Sequence, residues 1–310
     1  VSPAPEGGID PAGRPVALIK GAGDLATGVA LRFLAAGFAV VMTEIERPTV
    51  VRRYVALAEA VYEGRAVVEG IEGVRAEGVD QIAAALARRA VPVVVDPPSA
   101  VRREIRPLVL VDAVVAKRNL GTAIGDAPAV IALGPGFVAG DDVHAVIETA
   151  RGHSLGRVIY EGPAQPNTGI PGEVGGFGEE RVLRSPGAGV FRAERRIGDR
   201  VGRDEVVGRV ADLPVRSQLD GVLRGLLRSG LEVSEGFKLG DVDPRARLEH
   251  CFTVSDKARA IAGGALEAAC ALLGGVRFEK ARRDSDPAEQ AAARAGETTA
   301  SQRRSQGGRE

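Results

Sequence analysis

The stretch Ile19-Lys20-Gly21-Ala22-Gly23-Asp24-Leu25-Ala26-Thr27-Gly28 constrains the fold more than any other in the chain. An apolar strand pattern, Val16 to Ile19, precedes it and a helical pattern, Leu25 to Ala36, follows. Gly21-x-Gly23-x-x-Ala26 fits G-x-G-x-x-G/A, in which the first glycine permits a tight turn and the second lets backbone approach a phosphate at a helix N-terminus. The next strand pattern, Phe38 to Thr43, ends at Glu44, about 20 residues on, where a ribose-binding carboxylate falls. The expectation is the first β-turn-α unit of a nucleotide-binding sheet. Its bland alternative is a set of glycines that only permit close packing.

Strands are expected at 16–20, 38–43, 91–95, 109–116 and 129–133, with a smaller pair at 66–69 and 73–76. Helices fit 25–36, 50–62 and 79–90. Pro92 to Val95 and Leu108 to Val111 are near-continuous apolar runs, as buried parallel strands require. The alternation predicts an α/β fold, a Rossmann-like and mainly parallel sheet with helices on its faces. In such sheets ligands bind outside the carboxyl ends of strands. Lys20 with the Gly21–Asp24 turn, Glu44, Asp96, Lys117 to Asn119, and Gly134-Pro135-Gly136 therefore converge on one crevice in this reading. Ordinary turn chemistry is the competing account, since Gly, Pro, Asn and Asp belong in turns.

At 310 residues and 45% hydrophobic content the chain has material for two domains. The organisation read from it is a Rossmann-like ligand-binding domain over 16–139, a β/loop connection covering the cleft over 140–180, a repeated module over 181–243, and a closing strand and helix over 244–278. Residues 1–15 and 279–310 read as disordered tails. Asp141, His144, Glu148 and His153 are a conceivable metal set, but their spacing is not diagnostic and no metal is assigned.

Residues 185–208 and 217–240 repeat at an offset of about 32 residues, Ser185 matching Ser217, Gly189-Val190 matching Gly221-Val222, and Gly208 matching Gly240. Two such strand-turn units are expected to interlock, and they resemble the halves of a barrel-sandwich hybrid of the biotinyl or lipoyl type. The connection Arg209 to Arg216 holds no lysine, which argues against a biotin or lipoate carrier. A rigid packing or docking module is the reading that remains.

Ser255 is the expected N-cap of a helix over 256–273, and Gly263-Gly264 weaken that helix unless close packing needs them. Lys257 and Arg259 oppose the macrodipole at its start, a conflict that a bound anion resolves. The chain has five lysines among 41 basic residues, so Lys20, Lys117 and Lys257 stand out beside turns and helix starts. The candidate cofactor-binding residues are Lys20, Gly21, Gly23, Asp24, Thr27, Gly28, Glu44, Asp96, Asn119, Gly134, Gly136 and Lys257. Lys117, Asp24 and Cys251 are the candidate catalytic residues, Cys251 as a thiol that is reactive unless it is buried structure.

Forty-one basic residues balance 41 acidic ones, which gives no electrostatic reason to expect nucleic acid or an anionic membrane as partner. Two cysteines, and no apolar run near about 18 residues, predict a reducing, cytoplasmic setting.

Beyond these stretches, Thr43-Glu44-Ile45-Glu46-Arg47-Pro48-Thr49, Ala58 to Gly64, Ala116-Lys117-Arg118-Asn119-Leu120-Gly121-Thr122, Leu133 to Phe137, Pro166 to Pro171 and Ser255 to Ile261 resemble the YqeB family, over roughly 16–275. That family is described as selenium-dependent molybdenum hydroxylase system or molybdenum cofactor maturation proteins. The resemblance implies an accessory factor that binds a molybdopterin-type cofactor and works with a molybdenum hydroxylase and other cofactor maturation proteins, with a homo-oligomer left open. It supplies no reaction and no proven catalytic residue. An NAD(P)-dependent oxidoreductase is the second reading, though no Tyr-x-x-x-Lys or His/Asp pair supports it. A non-catalytic scaffold is the third.

Overall fold

The apolar runs after the glycine turn assemble into one nine-stranded sheet in the computed structural model, which describes residue 8, residue 10, residues 12–170 and residues 172–274. Its strands are β1 (Val16–Lys20), β2 (Ala39–Glu44), β3 (Arg65–Val68), β4 (Ile71–Ala76), β5 (Val91–Val95), β6 (Val109–Asp112), β7 (Ala129–Leu133), β9 (Ala145–Ile147) and β10 (Val158–Ile159). A two-residue strand β8 (Val138–Ala139) pairs outside the sheet with β11 (Gly162–Pro163). The sheet order is β10-β9-β7-β6-β1-β2-β5-β4-β3, parallel throughout except for the antiparallel edge pairs β3–β4 and β9–β10. After β1 the chain winds outward through β2 and then returns to place β6 beside β1. The order reverses there, and the crevice for a ligand opens at such a switch point.

Helices α1 (Asp24–Ala35), α2 (Glu59–Glu63), α3 (Gly78–Ala87), α4 (Arg102–Ile105) and α5 (Asp256–Leu273) complete the α/β architecture. Val16, Leu18, Val41 and Leu110 share one core with Ile82 and Leu86 of α3. Helix α5 packs against α1 and against β7, β9 and β10. Two glycines allow this closeness: a Cβ on Gly28 would lie 3.0 Å from the Ala258 Cβ, and one on Gly264 would collide with the Gly156 carbonyl. Gly263 faces open space, so close packing accounts for one glycine of that pair.

The expected helix over 50–62 does not form. A single 3-10 turn (Arg53–Val55) and the short α2 replace it. Arg52 and Arg53 reach instead for carbonyls elsewhere, His250 O (3.0 Å) and Thr253 O (3.2 Å) from Arg52 and Leu226 O (2.8 Å) from Arg53. Likewise β6 stops at Asp112, short of the expected 116, because Val115 and Lys117 take left-handed backbone conformations. In place of the closing strand expected ahead of the helix in 244–278, the chain forms a 3-10 turn (Leu248–Cys251) and an irregular link. At the N-terminal side, Asp10 is buried and accepts from Arg14 Nε (2.8 Å), so this part of the expected tail is packed. Residues 1–7, Ile9, Pro11, Pro171 and residues 275–310 lie outside the described residues, and with them the whole expected tail over 279–310.

The repeat has a structural counterpart in two antiparallel four-stranded sheets, β12-β19-β17-β14 and β16-β15-β13-β18. These strands are β12 (Val182–Arg184), β13 (Gly189–Ala193), β14 (Arg200–Val201), β15 (Val206–Val210), β16 (Leu213–Arg216), β17 (Gly221–Leu226), β18 (Glu232–Val233) and β19 (Lys238–Asp243). Strands β13, β14 and β15 recur as β17, β18 and β19. The copies exchange strands: β14 of the first pairs with β17 of the second, and β18 of the second pairs with β13 of the first. The hydrogen bonds repeat as well. Ser185 Oγ donates to Gly187 O (2.5 Å) and Ser217 Oγ to Leu219 O (2.6 Å). Phe191, Val207, Leu223 and Leu239 form the buried core between the sheets.

Candidate functional site

A cavity of about 730 Å³ lies where the start of α1, the start of α5, the loops after β6 and β9, and the repeated module meet. This volume is of the size that holds a small ligand or cofactor. Its wall includes Asp24, Leu25, Lys117, Pro135, Ser255 and Lys257, together with Arg52, Arg151, Arg181, Arg184, Arg224 and Lys238. The long loop expected to cover the cleft also lines it, through Gln165–Ile170 and Gly172–Val174. Two ends of Glu148 fasten that loop, Oε1 accepting from Ala150 N (2.7 Å) and Oε2 from Gln165 N (2.8 Å).

Of the residues singled out in the sequence, Asp24, Lys117 and Lys257 meet here. Asp24 opens α1, whose N-cap, Gly23, has no capping side chain, so the helix start at which Asp24 and Leu25 line the cavity has no side-chain acceptor for its first amides. Lys117 donates to the Asn167 amide oxygen (3.1 Å) when that amide is oriented to satisfy both ends. Lys257 is half-buried in the first turn of α5, which Ser255 caps through Ala258 N (3.1 Å). Burial pushes the Lys257 amine down, and the cations Arg151 and Lys238 add to the shift against the pull of Asp24 and Glu148. Arg259 turns away, its guanidinium held by both Glu69 oxygens (2.8 and 2.9 Å).

The remaining candidates are engaged inside the fold. Lys20 is 3% exposed and donates to Thr122 Oγ1 (3.0 Å) and Leu120 O (3.1 Å), with Asp112 Oδ2 at 3.4 Å. Thr122 in turn donates to Asp112 (2.6 Å), and Asn119 folds its own loop by accepting from the Gly121 and Thr122 amides. This buried network carries the loop that presents Val115 and Lys117 to the cavity. Glu44, the expected ribose carboxylate, is already engaged by backbone: Oε2 accepts from Ala22 N (2.8 Å) and Oε1 from Ile45 N (2.8 Å). Burial raises its carboxyl, and those two backbone donors oppose the rise. Gly21 at φ +95° makes the tight turn, and its amide donates to Thr43 O. Thr27 is fully buried, donating to Ala22 O and accepting from Leu57 N. Asp96 accepts from Val101 N (2.8 Å) and so shapes the turn into α4. Gly134 packs beside Thr149, and Gly136, at φ +111°, passes so close to Lys117 and Arg118 that a Cβ there would sit 2.5 Å from Arg118 N.

Cys251 is 1% exposed in the core of the repeated module, its thiol 3.8 Å from Leu223 O. Burial pushes the thiol up, although Arg52 and Arg224 pull it back. Of the conceivable metal set, His144 Nδ1 accepts from Val130 N (3.0 Å) and Glu148 is taken up in fastening the covering loop. Among the described residues no group of three His, Cys, Asp or Glu side chains has the arrangement of a metal site.

Arg52, Arg181, Arg224, Lys238 and Asp241 belong to the wall without having been singled out. Arg52 is 7% and Asp241 5% exposed, and each keeps a buried polar atom, Nε and Oδ1, without a hydrogen bond. Arg181 donates to Asp241 (2.9 Å) and to Gly172 O (3.0 Å). Burial lowers the Arg52 guanidinium, with Arg224 second. The scarcity of lysine is the one sequence signal that marks Lys238, since three of the five lysines line this cavity.

No family model matches the chain. Among solved structures it is similar to an aspartoacylase family protein of Mesorhizobium loti (15% identity, 76% of this chain and 87% of that one, TM-score 0.26). It is also similar to the ectoine utilization protein EutE of Ruegeria pomeroyi (11% identity, 74% and 85% covered, TM-score 0.22). In sequence, 263 residues, 85% of the chain, are 49% identical to the YqeB protein of Escherichia coli K12, itself described as uncharacterized. The chain spans about half, 49%, of that relative's length. Over those 263 residues the chain is a relative of that YqeB protein.

Proposed function

We propose that the cavity binds a pyranopterin or nucleotide-bearing cofactor, and that the protein is an accessory factor in the maturation of selenium-dependent molybdenum hydroxylases. The observation that carries the binding half of this reading is the cationic wall: eight Lys and Arg side chains against Asp24, Glu173 and Asp241, beside the uncapped amides of α1. Such a wall favours an anionic ligand, most strongly beside Arg52 and Arg224, which are buried. The maturation half rests on the resemblance to the YqeB family. In this reading a molybdenum hydroxylase and other maturation proteins are the partners, the setting is cytoplasmic, and the repeated module is a barrel-sandwich hybrid that offers the docking surface. Lys117 and Lys257 hold the cofactor's anionic end and Asp24 a hydroxyl or ring NH. Cys251 meets a chalcogen only if the module opens, because its thiol is buried.

The NAD(P)-dependent alternative draws on the same crevice, but the carboxylate expected to hold a ribose is engaged by the Ala22 amide. Purification from cells that make molybdopterin, followed by denaturation and fluorescence of the released ligand, tests the proposal. A released pterin is the expected result. Released NAD(P) with hydride exchange would replace it with the redox reading, and intact hydroxylase activity in cells carrying Gly23→Asp would favour the scaffold.

A further inference from the structure

The cations of the cavity fall into two groups by the company they keep. Arg151, Arg181 and Arg224 already have carboxylate partners, Asp256 at 3.1 Å, Asp241 at 2.9 Å and Asp243 at 3.7 Å. Arg52, Lys117, Arg184, Lys238 and Lys257 have none among the described residues: Arg52 and Arg184 donate to backbone carbonyls and Lys117 to the Asn167 amide, and Lys117, Arg184 and Lys238 are exposed at the cavity's wall. The wall's carboxylates that lack an ion pair are Asp24 and Glu173. Five unpaired cations against two free carboxylates leave an excess of about three positive charges, which a phosphomonoester, at about −1.5 to −2, does not match. The excess is centred on the repeated module and α5, because Arg184 and Lys238 lie on β12 and β19 and Lys257 on α5. Arg52 is a second, independent pointer to a ligand: it is nine-tenths buried in the wall with its Nε unpartnered. The glycine turn contributes less, since its Gly21 and Ala22 amides already donate to Thr43 O and Glu44.

We infer that the repeated module and the start of α5 form a diphosphate subsite, so that the ligand bears two phosphoryl groups and lies across the module rather than along the glycine turn. The inference rests on the proposed cofactor-binding reading of the cavity and adds the charge class of the ligand and the residues that hold it. A nucleoside diphosphate unit and a pterin joined to a nucleotide through pyrophosphate share this chemistry.

The test is calorimetric titration of the full chain with inorganic pyrophosphate, orthophosphate and ADP, for wild type, Lys238→Ala, Lys257→Ala and Glu44→Gln, with thermal midpoints as the check on folding. Pyrophosphate is expected to bind about tenfold or more tighter than orthophosphate, as an additional set of charge-assisted bonds allows. Lys238→Ala and Lys257→Ala each weaken pyrophosphate by about tenfold with unchanged midpoints, whereas Glu44→Gln stays within about twofold. ADP binding as tightly as pyrophosphate assigns the diphosphate to a nucleotide, and weaker ADP binding assigns it to a non-adenylate ligand. Equal affinities for the two phosphates, no binding of either, or sensitivity to Glu44→Gln alone would overturn the inference. A pterin retained by Lys238→Ala protein would sink the subsite and leave the proposed function standing. Pyrophosphate binding that depends on Lys238, in a protein that never carries a pterin, would do the reverse.

Discussion

The glycine turn after β1 and the opposite wall formed by α5 and the repeated module bound the same crevice, yet they use polar residues in contrasting ways. On the turn side, Lys20, Asp112, Thr122, Asn119 and Glu44 satisfy one another or nearby backbone. On the module side, Lys238 and Lys257 have no ion-pair partner among the described residues, and Arg52, which reaches this wall from the segment between β2 and α2, keeps a buried donor unmet. Buried polar groups with complete hydrogen bonding stabilise a fold, whereas groups left unmet beside a cavity mark the place for a ligand. A motif therefore locates the crevice here, and the wall across from it supplies the charge.

This contrast breaks first at Asp112. Asp112→Ala leaves the Lys20 ammonium buried without its carboxylate, a loss of about 3–5 kcal/mol, and the thermal midpoint should fall by roughly 10 °C. A midpoint near wild type would mean that Lys20 is free to serve a ligand. Next, Gly264→Val drives a side chain into the Gly156 carbonyl and costs about 1–3 kcal/mol through the α5 packing, read by denaturant midpoint.

Acid dependence sharpens the comparison within the module. Burial would raise the Asp243 carboxyl, but hydrogen bonds and charge from Arg245, with Arg224, hold it at about 2, below the ordinary value of 3.8. Its stabilisation is therefore complete above the unfolded value near 3.8 and is lost as pH falls through about 2. Unfolding followed over this window should flatten in Asp243→Asn; an unchanged acid limb would assign the loss to other carboxylates. The smallest expected effect is at the thiols. Cys270 is exposed and Cys251 buried, so a thiol reagent should label Cys270 in the native protein and Cys251 only after unfolding. Rapid native labelling of Cys251 would restore it as a reactive group.

Much of the sheet was legible because parallel strands buried on both faces read as continuous apolar runs: β1, β5 and β7 have the expected bounds, as does α5 after its Ser255 cap. The helix expected at 50–62 failed for a tertiary reason, since the guanidinium groups of Arg52 and Arg53 reach carbonyls some two hundred residues away or nearly so. The repeat was legible as spacing, and its strand exchange follows from two units that cannot bury a face alone. The site was legible only along its motif edge. Asp24, Lys117 and Lys257 follow turns or open helices, which is visible locally, whereas Arg52, Arg224 and Lys238 come together from remote segments and carry no local pattern.

Hydrogen exchange of the full chain with and without inorganic pyrophosphate reports which wall of the crevice the anion orders. Added protection is expected at the amides of 236–241 and 255–259. Protection confined to 21–28 and 44–46 would contradict it and return the anion to the glycine turn.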